Sequence, residues 1–165
     1  MKQFLDRVLA VIQLEPLAYL EIKENKAPLT QAMFLLFLSS TATALGSVGG
    51  YVEKIPMAIL TACAAWVAWG LLIYVLGTLI FRKPETEVNL ITVMRLVGFA
   101  SAPGILKALA FIPAVSGIIL FGTSIWILGT TTLATQQALS YKSFPRALGV
   151  TLAAWLGYQF LLFQI

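Results

Sequence analysis

Residues 28–51 contain no charged side chain, and neither do residues 55–81, 108–141 and 147–165. Roughly 20 predominantly apolar residues suffice to carry a helix across the hydrocarbon of a bilayer. Charge-free runs of that length in a chain of 165 residues, with a further apolar run over 96–106, leave little sequence for anything but membrane spans. Composition agrees: 59% of residues are hydrophobic and 11% charged, where a soluble domain has roughly a quarter charged. The mean hydropathy is +0.90. The sequence describes an integral membrane protein in one domain.

The charges mark the ends of the runs. An all-α, polytopic fold class is expected, with five transmembrane helices at about 29–49, 56–81, 90–112, 118–139 and 146–163. Pro28, Pro56 and Pro145 suit the first turn of a helix, where the missing N–H leaves nothing unpaired. Gly46, Gly49 and Gly50 close the first span, and Arg82-Lys83 stop the second. Ahead of the spans, residues 3–22 form an amphipathic interfacial segment interrupted by Pro16. Phe4, Leu5, Val8, Leu9, Val11 and Ile12 share one half of a helical wheel, with Gln3, Asp6, Arg7 and Gln13 on the other. Such a segment lies in the headgroup plane or packs against the ends of the spans, and both arrangements stay open.

A cytoplasmic N-terminus puts Lys2, Arg7, Lys23, Lys26, Arg82, Lys83, Arg95, Lys142 and Arg146 on the cytoplasmic side and leaves Lys54 outside. That is the positive-inside bias for short loops. The expected topology has the N-terminus in and the C-terminus on the opposite side, in a bacterial inner membrane or an equivalent internal membrane. The net charge of +4 then points to anionic headgroups as partners and not to nucleic acid.

Histidine is absent, and the single cysteine, Cys63, lies deep in an apolar run. No metal site, haem site or internal disulfide is expected, and no cofactor. The seven carboxylates, Asp6, Glu15, Glu21, Glu24, Glu53, Glu85 and Glu87, fall in loops or in the interfacial segment. Proton pumps and many ion-coupled transporters keep acids at membrane depth. Without a phosphate-binding glycine loop or a nucleophile with its base, the chain is not expected to be an enzyme.

Three features remain. Pro103-Gly104 interrupts the third span, and Lys107 follows one turn later. One reading is a kink whose freed backbone groups are satisfied by neighbouring helices; the other is a hinge or lipid-access notch built from Ser101, Pro103, Gly104 and Lys107. At 1.5 Å per residue Lys107 stands about 25 Å along its span, where it snorkels to headgroups or binds a lipid phosphate. Small residues recur four apart at Gly98 and Ala102 and at Gly149, Ala153 and Gly157. That spacing lets backbones approach closely, within the chain or against another subunit. Trp66, Trp69, Trp126 and Trp155 read as bulk filling or belt residues.

The run Arg95-Leu-Val-Gly-Phe-Ala-Ser-Ala-Pro-Gly-Ile-Leu resembles the third-span signature of the Yip (Ypt-interacting protein) family. The turn Phe111-Ile-Pro-Ala-Val-Ser-Gly is similar to theirs, as is Thr135-Gln-Gln-Ala-Leu-Ser-Tyr with Arg146-Ala-Leu after a short loop, and Leu14-Glu-Pro-Leu-Ala-Tyr-Leu-Glu-Ile near the N-terminus. The resemblance covers most of the chain. It implies a five-span bundle with a cytoplasmic N-terminus and a short outer tail. Eukaryotic relatives bind Rab-type GTPases; this chain lacks their long cytoplasmic N-terminal region and their Asp-Leu-Tyr-Gly-Pro motif, and its length matches a short bacterial-type member. The expected role is a non-enzymatic scaffold, assembly factor or accessory subunit of a membrane complex. Its partners would be membrane lipids and other membrane protein subunits or a second copy. The alternative is a lipid-handling or small-solute membrane protein using the kinked third span.

Overall fold

Prolines, an asparagine cap and two left-handed residues set where the helices begin and end. The computed structural model describes residues 2–24, 27–47, 51–81 and 88–162. They form α1 (Lys2–Ile12), α2 (Pro16–Glu24), α3 (Leu29–Ser47), α4 (Ile55–Val75), α5 (Leu90–Ala100), α6 (Ser116–Ala138) and α7 (Phe144–Leu162). A short 3₁₀ piece, Val52–Lys54, leads into α4, and a π turn, Leu76–Ile80, ends it. A 3₁₀ segment, Ala102–Phe111, continues α5. No strand occurs among the described residues. The expected close of the first span at Gly49 and Gly50 lies outside the described residues. So do Lys26, the Arg82-Lys83 stop, Glu85, Glu87 and the end of the fifth span at Phe163.

Among the described residues three helices are long and apolar enough to cross a membrane, Leu29–Gly46, Val52–Ile80 and Ser116–Ala138. The bent pair Leu90–Ala100 and Ala102–Phe111 makes a fourth if it is one span. The pair has the reach for that: 11 residues of α-helix and 10 of 3₁₀ helix rise about 36 Å at 1.5 and 2.0 Å per residue.

α5 is the centre of one half of the bundle. Asn89 caps it, its side-chain oxygen accepting from the Ile91 N–H at 3.0 Å. It touches α3, α4 and α6, and Val93, Leu96, Val97 and Phe99 are wholly buried. Two close approaches hold it there. Gly98 lies so near Ala32 that a Cβ on it would come within 2.6 Å of the Ala32 Cβ, and Gly70 of α4 leaves room for the Met94 sulfur. We call this the closed half.

α1 and α2 complete the closed half. Leu14, at φ +61°, turns the chain between them in the left-handed region that branched side chains seldom enter. Phe4 meets the rings of Phe34 and Phe99, both at 6.3 Å between centroids. Beside α6 the hairpin has three fixed points. The Trp126 indole donates to the Ile12 carbonyl at 2.8 Å, Leu14 lies against Gly129, and the Lys23 ammonium donates to the Gln137 carbonyl and the Ser140 hydroxyl, both at 2.8 Å. Successive contacts from Ile12 through Leu14 to Lys23 thus advance along α6, so α2 stands alongside the second half of α6. There Thr130, Thr131, Thr132, Ala134, Thr135 and Ala138 are all buried. Burial lowers the Lys23 pKa, with the Glu24 carboxylate opposing the shift.

The π turn ending α4 leaves carbonyls that the loop before α7 and the first turn of α7 satisfy. The Tyr141 hydroxyl donates to Gly77 and Phe81 at 3.2 and 2.9 Å, and the Arg146 guanidinium donates to Phe81 at 2.9 Å. Arg146 also sits over the Tyr141 ring, 5.0 Å from its centroid, a cation–π arrangement. The Thr151 hydroxyl, 3.1 Å from that of Thr135, joins α7 to α6.

Candidate functional site

Pro103 has no N–H to donate, and the helix tightens as it passes. Gly104 donates to the Ser101 carbonyl at 2.9 Å, an i to i−3 bond, instead of reaching back to Ala100. The carbonyl of Ala100 is thereby released, and the Thr130 hydroxyl of α6 takes it at 2.7 Å. A neighbouring helix repairs the broken ladder, as it must where no water is available. Ser101 itself folds back, its hydroxyl donating to Gly98 at 2.7 Å.

The axis turns by 40° at this break. The 3₁₀ segment then packs on α3 and α6, away from the line that α5 follows. Its contact with α3 is at backbone distance: a Cβ on Gly46 would run into the Lys107 carbonyl, and one on Gly104 into the Ser39 hydroxyl. α3, α4, α7, α6 and the 3₁₀ segment touch in that order and close a ring. α5 fills the middle of the bundle on one side of the break, and beyond it the middle is empty. A cavity of about 600 Å³ results, within the range of small-molecule sites. The half that holds it is the open half.

Every member of the ring contributes to the wall: Ser39 and Ser40 from α3, Trp66 from α4, Lys107 from the 3₁₀ segment, Ser124 from α6 and Tyr158 from α7. Ser101 lies at the floor, where α5 stops. At 2.0 Å per residue Lys107 stands about 12 Å above it. The wall hydroxyls divide into two kinds. Thr43, Ser101 and Ser124 donate to carbonyls of their own helices, whereas the hydroxyls of half-buried Tyr158 and of Ser39 and Ser40, in residues 7% and 4% exposed, have no hydrogen bond among the described residues. Lys107 makes neither a hydrogen bond nor an ion pair among them.

The cavity opens on one side. Its exposed wall residues are Phe121, Ser124, Ile125, Leu152 and Trp155, all from α6 or α7, while those from α3, α4 and the 3₁₀ segment are buried or half-buried. The two helices are joined by a short connection in the closed half, and the exposed wall residues they carry in the open half mark a lateral portal on their side of the cavity.

Of the notch residues named from sequence, Ser101 and Lys107 line this cavity; Pro103 and Gly104 are buried beside it. Of the small-residue faces, Gly98 is spent on Ala32, and Ala102 is buried. Gly157 meets Leu72 at an ordinary 3.8 Å, Ala153 is half-buried, and Gly149 is exposed with no atom within 4 Å of a Cβ built on it. Trp66, Trp69 and Trp155 line the cavity, and Trp126 holds the hairpin. Sequence reasoning passed over Ser39, Ser40 and Thr43. Their signal was available: four hydroxyl residues, Ser39, Ser40, Thr41 and Thr43, fall within five positions in the middle of a charge-free span. No protein-family profile, curated protein or solved structure matches the chain.

Proposed function

We propose that this chain is a five-span, non-enzymatic membrane protein of the Yip type that holds an amphiphilic molecule between its helices. The observation that carries this reading is the lateral portal between α6 and α7 into a largely apolar cavity with a few hydroxyls and one lysine. An aqueous solute enters most readily from an end of a bundle, whereas an opening in its flank faces acyl chains. The span count takes α7 and the bent pair together with the three long apolar helices. The charge distribution supports a cytoplasmic N-terminus: Lys2, Arg7, Lys23, Arg95, Lys142 and Arg146 belong to the closed half, Lys54 and Lys107 to the open half. The cavity then lies in the outer leaflet.

Photo-crosslinking in native membranes with a diazirine-bearing lipid tests the reading. Labelled peptides should include Ser39 to Thr43 and Trp155 to Tyr158, which line the cavity. Labelling confined to outward-facing positions such as Met57, Leu60 and Ile118 would refute it. A second reading, a scaffold or accessory subunit, draws on Gly149, whose open surface on α7 admits the close approach of another helix. Native mass measurement in mild detergent checks it, and a strictly monomeric species with no associated protein would count against it.

A further inference from the structure

We propose that the cavity selects an anionic lipid, with its headgroup on Lys107, Ser39 and Ser40 and one acyl chain reaching in through the portal between α6 and α7. The proposal rests on the amphiphile-holding reading and adds the charge, the docking residues and the route.

The charge follows from what the cavity lacks. An ammonium inside a membrane bundle is costly unless it is paired, and no carboxylate among the described residues lines the cavity. Among the described residues no group supplies a counter-charge for Lys107, and an anionic ligand in the cavity would supply it. The donors converge for a geometric reason. In a 3₁₀ helix residues i and i+3 are eclipsed, so Lys107 stands directly over Gly104, and Gly104 is the residue against which the Ser39 hydroxyl packs. Gly104 supplies the clearance, since a Cβ there would run into that hydroxyl. Ser40, the next residue, lines the same cavity. One ammonium and two uncommitted hydroxyls make a donor set for the oxygens of a phosphodiester. The remaining wall is largely apolar, with Trp66 and Leu36 on one side and Phe121 and Ile125 at the portal. The side opening favours a lipid already in the leaflet over a free phosphate from the aqueous phase.

Competition read by native mass spectrometry tests this, with the full-length chain in neutral detergent offered equimolar phosphatidylglycerol and phosphatidylcholine. The wild type should carry the anionic lipid in preference, by about tenfold if one charge-assisted contact decides it. Lys107→Gln should lose that preference while still binding phosphatidylcholine, which shows that it is folded, and Lys107→Arg should keep it. Lys142→Gln, exposed in the loop of the closed half, should leave it unchanged, and excess inorganic phosphate should not displace the lipid. Ala65→Phe, whose ring would project into the cavity, should lower occupancy by both lipids. If Ala65→Phe lowers occupancy but Lys107→Gln keeps the anionic preference, the headgroup assignment is overturned and the amphiphile-holding reading stands. If Ala65→Phe leaves occupancy unchanged, or the wild type binds neither lipid, both fall.

Discussion

Thr130→Val isolates the repair at the break. Thr130 is wholly buried, and its hydroxyl lies 2.7 Å from the Ala100 carbonyl, with the Trp126 and Ile127 carbonyls of its own helix at 3.2 and 3.0 Å. Valine keeps the shape and removes the donor, so the Ala100 carbonyl, already without its main-chain partner, is left unpaired. In soluble proteins orphaning a buried acceptor costs about 1–3 kcal/mol. Interhelical hydrogen bonds in a membrane protein average about 0.6 and reach about 1.7 kcal/mol. A loss of about 1–2 kcal/mol is expected, because the folded state commits the Gly104 N–H to Ser101 and offers the orphaned carbonyl no main-chain donor, whereas the unfolded chain in a micelle can restore the ordinary i+4 bond. Thr132→Val is the control. Thr132 is equally buried, but its hydroxyl bonds the Leu128 carbonyl of its own helix at 2.7 Å, and that carbonyl keeps its helical partner. It should cost less than the roughly 0.6 kcal/mol average. Reversible unfolding in mixed micelles, followed by circular dichroism, measures both; in thermal melts the difference corresponds to about 2–4 °C per kcal/mol for a chain of this size. Equal losses for the two variants would refute the account of the break.

Two further outcomes follow from close contacts and from burial. Gly98→Ala should destabilise by about 1–3 kcal/mol through overpacking, because its Cβ would meet that of Ala32 at 2.6 Å. Gly149→Ala, with nothing within 4 Å, should be neutral or stabilising by up to about 1 kcal/mol, and the same unfolding assay ranks the pair. At alkaline pH the buried tyrosines outside the spans dominate. Burial raises the pKa of Tyr19 and Tyr141 above the ordinary 10.0, with Arg146 partly opposing it for Tyr141. The folded state therefore holds these protons after the unfolded chain begins to release them. Their stabilising contribution is complete below pH 10 and is lost as the pH climbs toward the folded-state values. Lys23, its pKa lowered by burial, acts with the opposite sign below 10.5. Tyr19→Phe and Tyr141→Phe should each flatten the alkaline decline in unfolding free energy between about pH 9 and 12.

The long helices were legible because an uncharged run of 20 residues has few other fates, and Pro103 announced its break because no helix bond can form at its nitrogen. The hairpin was less so. A helical wheel groups Val8 and Val11 with Leu5 and Leu9, yet the structure buries the first two and leaves the leucines 54% and 56% exposed. Apolarity alone does not tell a surface that meets protein from one that meets lipid. The cavity was illegible for another reason. It depends on where the 3₁₀ segment goes after the bend, a displacement fixed where Gly46 of α3 meets the Lys107 carbonyl and Gly104 meets Ser39 of α3, and not by any local pattern. Lys107 could be placed along its span by counting, but only the ring of helices around it shows which way its surroundings are empty.

The bonds between elements are unevenly distributed along the bundle axis. Among the described residues, those from Lys23, Trp69, Trp126, Thr130, Tyr141, Arg146 and Thr151 all lie at the level of the break or in the closed half. Above it α6 and α7 meet only through packing, with no hydrogen bond between them among the described residues. The far ends of α6 and α7 can therefore splay about a stapled base without breaking an interhelical hydrogen bond, as the jaws of a clothes-peg swing on their spring. Amide exchange should follow the same gradient, slow around Thr135 and Thr151 and faster toward Phe121 and Trp155. The width of the portal becomes a thermally adjustable quantity, set by van der Waals contact alone.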